Sequence, residues 1–151
     1  MDFQVIDCLG KDAGISFPKL QPFYYPDKDG GWWLLEDFKI RYNGYLITAL
    51  KGFDYDGASI PRIMRSIVGD KMSHDIIVPA LFHDLFYCVH LDPFDRPSAD
   101  SFFQNVAGVY GADQAKRLAI WTAVRSFGWS CWSQTPEHID KYRAFIKIEK
   151  V

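Results

Sequence analysis

This 151-residue chain is short of cysteine, of long apolar runs and of any excess of one charge. Its three cysteines, Cys8, Cys88 and Cys131, are odd in number and far apart. That excludes a disulfide framework and a CxxC metal pattern. Reduced, mostly buried thiols and folding in a reducing cytoplasm are the expectation. The longest apolar stretch, Ile76-Ile77-Val78-Pro79-Ala80-Leu81-Phe82, stops at His83 and Asp84. It falls far short of the roughly 20 residues a transmembrane segment needs, so none is expected. A formal charge of −2 and a pI of about 6.0 supply no basic field, so no nucleic-acid partner is expected. The opening Met1-Asp2-Phe3-Gln4 has neither a basic nor an apolar region of the kind a secretory signal carries, and none is expected. No GxSxG elbow and no Gly-rich nucleotide loop occurs.

What the chain does have is apolar bulk, 48% hydrophobic and 17% aromatic residues, which excludes a disordered chain. A chain of this size buries about 70% of its unfolded surface in one core, so residues 1–151 read as a single domain. Composition changes along it, from a sheet-rich part at 1–51 to a helical part at 52–151. Two runs, Trp32 to Tyr42 and Tyr45 to Leu50, flank Asn43-Gly44, the strongest short-range hairpin signal. Pro18, Pro22 and Pro26 with Gly30-Gly31 make the preceding stretch loop-like. Beyond residue 60 the spacing predicts a short helix from Pro61 to Val68 and a second running to His90, with Pro79 in its first turn or kinking it. A loop follows from Leu91 to Pro97, then helices over Ser98–Val109, Ala112–Phe127 and Pro136–Ile148. The class is α+β: a small N-terminal antiparallel sheet followed by a helical bundle.

Two stretches could carry chemistry. In Gly52-Phe53-Asp54-Tyr55-Asp56-Gly57-Ala58-Ser59-Ile60-Pro61, side-chain oxygens and carbonyls can converge on a hard cation such as calcium. The bland alternative is an Asp-Gly turn, with Ser59 capping the helix that Pro61 opens, and on the residues alone it is the commoner arrangement. Asp54 fits a solvent-facing turn. The second stretch is His83-Asp84-Leu85-Phe86-Tyr87, with Asp100 on the next helix. His83 and Tyr87 stand at i and i+4, giving an otherwise apolar helix one polar edge whose groups need partners. The loop before Asp100 is short enough for an antiparallel helix pair, which would bring Asp100 to His83. Such a pair fixes the imidazole tautomer and raises its basicity, as activation of water requires. The same residues could equally form a buried network that pins two helices, with Tyr87 bonding Asp100.

The Gly-Phe-x-x-Asp-Gly-Ala-Ser-Ile-Pro segment, His-Asp-x-x-Tyr, Arg96-x-x-x-Asp100 and Val124-Arg125-x-x-Gly128-Trp129 resemble an uncharacterised family common in tailed phages and prophages. More distantly, the ordered elements resemble the secreted phospholipases A2, especially the bacterial type with an Asp-Gly-Cys-Ser loop ahead of a Cys-x-x-His-Asp-x-x-Tyr helix. That second resemblance implies a phospholipase A2-like helix pair and a calcium (Ca2+) site. It implies His83 as the base, Asp100 as its orienter and Tyr87 bonding the Asp100 carboxylate. It implies Asp84 and Asp56 as calcium ligands, with the carbonyl of Gly57. Ala58 and Ala80 stand where those enzymes carry cysteines, a joint loss that a reducing compartment permits.

Three functions are weighed on this basis. One is metal-dependent hydrolysis of a lipid or other ester, by this protein or by an ancestor. Another is a non-catalytic role beside phage structural proteins, in the virion or its tail. The weakest is a metal phosphohydrolase, since His74 and His83 lie in one short stretch rather than on separate helices. The host bacterial cytoplasm is the expected location, with association to the virion as the second. His74-Asp75 reads as a helix cap by Ser73 or Asp75, and Arg96 as structural. Trp121, Phe127, Trp129 and Trp132 read as core packing in preference to a lipid-facing patch. Adjacent Trp32 and Trp33 must face opposite sides of a strand.

Overall fold

The computed structural model describes residues 1–25, 28–55 and 73–151. The expected helix from Pro61 to Val68, and Asp56, Gly57, Ala58 and Ser59 before it, lie outside the described residues. The described chain forms two compact units, one of residues 1–55 and 144–151, the other of residues 73–143. Antiparallel sheet comes first and helices follow, as expected for the α+β class.

The first unit holds seven strands: β1 (Phe3–Ile6), β2 (Leu20–Tyr25), β3 (Lys28–Leu34), β4 (Phe38–Tyr42), β5 (Tyr45–Ala49), β6 (Asp54–Tyr55) and β7 (Ile146–Lys150). They make a four-stranded sheet in the order β1-β4-β5-β7 and a three-stranded sheet in the order β2-β3-β6. Asn43 and Gly44 join β4 to β5 with φ of 46° and 83°, the pair of left-handed residues that a tight hairpin turn demands. Alternation along β4 buries Phe38, Ile40 and Tyr42.

Three expectations need correction here. The proline- and glycine-bearing stretch is not a loop but carries β2 and β3. Pro22 is tolerated because β2 is an edge strand, where a missing N–H breaks no ladder bond. Asp54 lies in β6 opposite Trp33 rather than in a turn. The last helix stops at Arg143, and Ile146–Lys150 pairs with β5 as a strand. Its alternating Ile146 and Ile148 was a period of two that the reading of a long helix overlooked. Trp32 and Trp33 do face opposite sides: Trp32 is buried and Trp33 is 41% exposed.

The second unit contains α1 (Ile77–Val89), α2 (Arg96–Val109), α3 (Gln114–Phe127), the single turn α4 (Trp129–Trp132) and α5 (Pro136–Arg143). Every residue of α1 except Cys88 is buried, as an all-round apolar helix must be. Pro79 sits in its first turn, where the missing N–H has no helical partner to lose. Asp95 and Asp113 cap α2 and α3, accepting from the amides of Ser98 and Lys116. Ile76, Ala80, Phe103, Ala107, Ala112, Ile120 and Val124 form a core shared by α1, α2 and α3. Phe86 stacks on Phe94 at 4.0 Å, closing the other end of the helix pair. Ser73 and Asp75 make no side-chain cap. Asp75 accepts from Ser73 and pairs with Lys116 of α3 at 2.7 Å. Phe127 and Trp129 are 48% and 64% exposed, so the expected aromatic packing does not extend to them.

Candidate functional site

The polar edge of α1 meets α2 where the sequence spacing predicts. His83 Nε2 lies 2.8 Å from Asp100 Oδ1, and the Tyr87 hydroxyl donates to the same oxygen at 2.5 Å. Both arise because i and i+4 on α1 project one turn apart toward a neighbour running the other way. The His83 and Asp100 side chains are both 0% exposed, and His83 is enclosed by the rings of Tyr87 and Phe103.

Two arginines complete the cluster. Arg125 of α3 donates from Nη1 to Asp100 Oδ2 at 2.7 Å. Arg96 donates from Nε to the Tyr87 hydroxyl at 3.2 Å, and from Nη2 to the carbonyls of Val124 and Arg125 at 2.7 and 3.0 Å. The structural role expected of Arg96 is thus seen, on backbone carbonyls and on Tyr87. Arg125 was not among the expected site residues. Its only sequence signal is the Val124-Arg125-x-x-Gly128 segment, which also supplies a close approach. A Cβ on Gly128 would lie 2.7 Å from the Tyr87 hydroxyl.

Charges follow from these contacts. Burial pushes the Asp100 carboxyl up, but the hydrogen bonds from His83, Tyr87 and Arg125 outweigh it and hold Asp100 below 3.8, hence ionised. Burial lowers His83 below 6.5 against the pull of Asp100, so the imidazole is neutral near neutral pH. Burial, then the bond to Asp100, raises the Tyr87 phenol, which stays protonated. An ionised carboxylate only accepts, so His83 carries its proton on Nε2 and Nδ1 is the basic nitrogen.

Asp84, the next residue on α1, is buried at 7% exposure. Asp56 and Gly57, the other expected calcium ligands, lie outside the described residues. Among the described residues, no three His, Cys, Asp or Glu side chains gather where they could hold a metal ion. Nor is any described helix long and apolar enough to cross a membrane.

No curated protein and no solved structure matches the chain. One family does, described as "Protein of unknown function (DUF1353)", over residues 32–124. That span covers the helix pair, Arg96, Asp100 and the start of the segment bearing Arg125. Since it is more than half of the chain, this protein belongs to the DUF1353 family.

Proposed function

We propose that the protein is a metal-dependent ester hydrolase of the phospholipase A2 kind, or a descendant that keeps the site of one. The observation that carries this reading is the 2.8 Å bond between His83 Nε2 and Asp100 Oδ1 across an antiparallel helix pair. In the reaction, Nδ1 of neutral His83 takes the proton of an attacking water and returns it to the departing alkoxide. Asp100 fixes the tautomer and stabilises the imidazolium formed in between, and Tyr87 holds the carboxylate in place. Asp84, Asp56 and the Gly57 carbonyl are oxygen donors of the type calcium takes, and a bound ion would supply positive charge for the oxyanion. The substrate class is phospholipid or another ester. The motif resemblance supports a phage or prophage setting and a protein made in the host cytoplasm.

A second reading has its own support. With both side chains 0% exposed and Asp100 bonded to His83, Tyr87 and Arg125, the cluster meets every requirement of a sealed pin between helices. In that case the protein is a phage structural or accessory component without turnover. Titration calorimetry with calcium separates the two. Binding by the intact protein that Asp84→Asn abolishes is the expected result, followed by release of fatty acid from phospholipid vesicles. No binding at millimolar calcium overturns the hydrolase reading and leaves the network.

A further inference from the structure

We propose that Arg125 is a positioning residue of the His83–Asp100 pair, holding Asp100 Oδ2 so that Oδ1 stays on His83 Nε2. The argument starts from the carboxylate, which turns about one bond and carries two equivalent oxygens. His83 and Tyr87 both use Oδ1. Those two bonds place Oδ1, but a buried Oδ2 left without a donor would favour rotations that pull Oδ1 off them. Arg125 Nη1 sits 2.7 Å from Oδ2, and this charged, short bond fixes the plane.

Arg96 cannot take over that role. Its Nε is 4.0 Å from Oδ2, beyond hydrogen-bond reach, and it donates to Tyr87 instead. Its Nη2 grips the Val124 and Arg125 carbonyls, so Arg96 holds the backbone from which Arg125 reaches in. The Trp121 ring centre lies 5.7 Å from the Arg125 guanidinium carbon, a cation–π contact that helps to steady it. The chain of contacts therefore runs from Arg96 through the end of α3 to Arg125, Asp100 and His83. Arg125 is also the most open member, with 32% of its side chain exposed against 0% for Asp100.

The inference deepens the hydrolase reading, on which it rests for any effect on turnover, but its test needs neither calcium nor substrate. In nitrogen-15 spectra of the whole protein, His83 is expected as the Nε2–H tautomer with a slowly exchanging ring proton. In Arg125→Met that proton is expected to exchange about tenfold faster or more, with mixing of the two tautomers. Arg117→Met serves as the comparison. Arg117 also bridges α2 and α3, through the Gln104 carbonyl, so its loss should lower the melting temperature and leave the His83 signals alone. Where the Met variant does not fold, Arg125→Gln is read in its place with the same expectation. A folded Arg125 variant with wild-type tautomer and exchange overturns the proposal, as does a wild-type His83 protonated on Nδ1. Failure to bind calcium would sink the hydrolase reading and leave this result standing.

Discussion

A neutral imidazole sealed against an ionised carboxylate ties stability to pH. Burial holds His83 below its ordinary 6.5, and the unfolded chain has no such restraint. Below about pH 6.5 the unfolded state therefore binds a proton that the folded state refuses, and folding loses free energy as pH falls. Asp100, held below 3.8, adds stability that is complete above that value and lost as pH drops through its lower folded value. The two groups act with the same sign in successive windows. Urea unfolding is expected to show stability declining as pH falls from about 7, with the slope growing below 6.5 until the lower folded-state value of His83 is reached. His83→Gln should be less stable at neutral pH and show a shallower decline; equal slopes for the two proteins would remove His83 as the cause. This residue pair was legible in the sequence because helical spacing and a short loop bring His83, Tyr87 and Asp100 to one place. Arg125 was not, since it reaches Asp100 from 25 residues away on a helix whose rotation no local pattern gives.

Among the elements, the junction of α3 and α4 shows how a glycine can be demanded by space alone. Gly128 has an ordinary φ of −76°, so no backbone strain calls for it. A Cβ there would stand 2.5 Å from the Val124 carbonyl oxygen and 2.7 Å from the Tyr87 hydroxyl; the first is backbone and the second is held by Asp100 and Arg96. Gly108 makes a useful contrast. A Cβ there would meet the half-buried Arg117 side chain at 2.9 Å, a flexible group that can shift by giving up its bond to the Gln104 carbonyl. Gly128→Ala is expected to cost about 1–3 kcal/mol in urea unfolding, and Gly108→Ala clearly less. Equal costs would mean that the end of α3 and Tyr87 together give way as easily as Arg117. The apolar pattern made α2, α3 and the end of α1 legible to within a few residues, because it acts locally; the caps Asp95 and Asp113 that set where α2 and α3 begin went unread. The turn Trp129–Trp132 was missed because what holds it is one distant contact: the Trp132 ring lies 3.9 Å from His90 and 5.1 Å from Tyr87, at the end of α1.

On the scale of the whole chain, the path leaves the sheet unit after β6 and returns to it only at residue 144. The last strand is thus part of a sheet whose other members all precede Asp56, a pairing of high sequence separation that local pattern does not reveal. That is why the chain up to Ile148 read as the end of a helix, when contact with β5 makes Ile146–Lys150 a strand. The pairing sets Ile146 against Ala49 and Ile148 against Ile47, and both β5 residues are 0% exposed. Phe145 adds a ring contact to Phe53 at 6.2 Å, and its carbonyl accepts a hydrogen bond from the Leu50 amide. Removing residues 145–151 would turn β5 into an open edge and strip cover from its apolar face. Hydrogen exchange is expected to show the β5 amides that face β7 losing at least about tenfold in protection, while those facing β4 lose less. Unchanged protection across β5 would mean that the hairpin centred on Asn43-Gly44 is stable by itself. In that case the late-arriving strand would be an attachment to the sheet and not a condition of its formation, which isolated hairpins in water rarely allow.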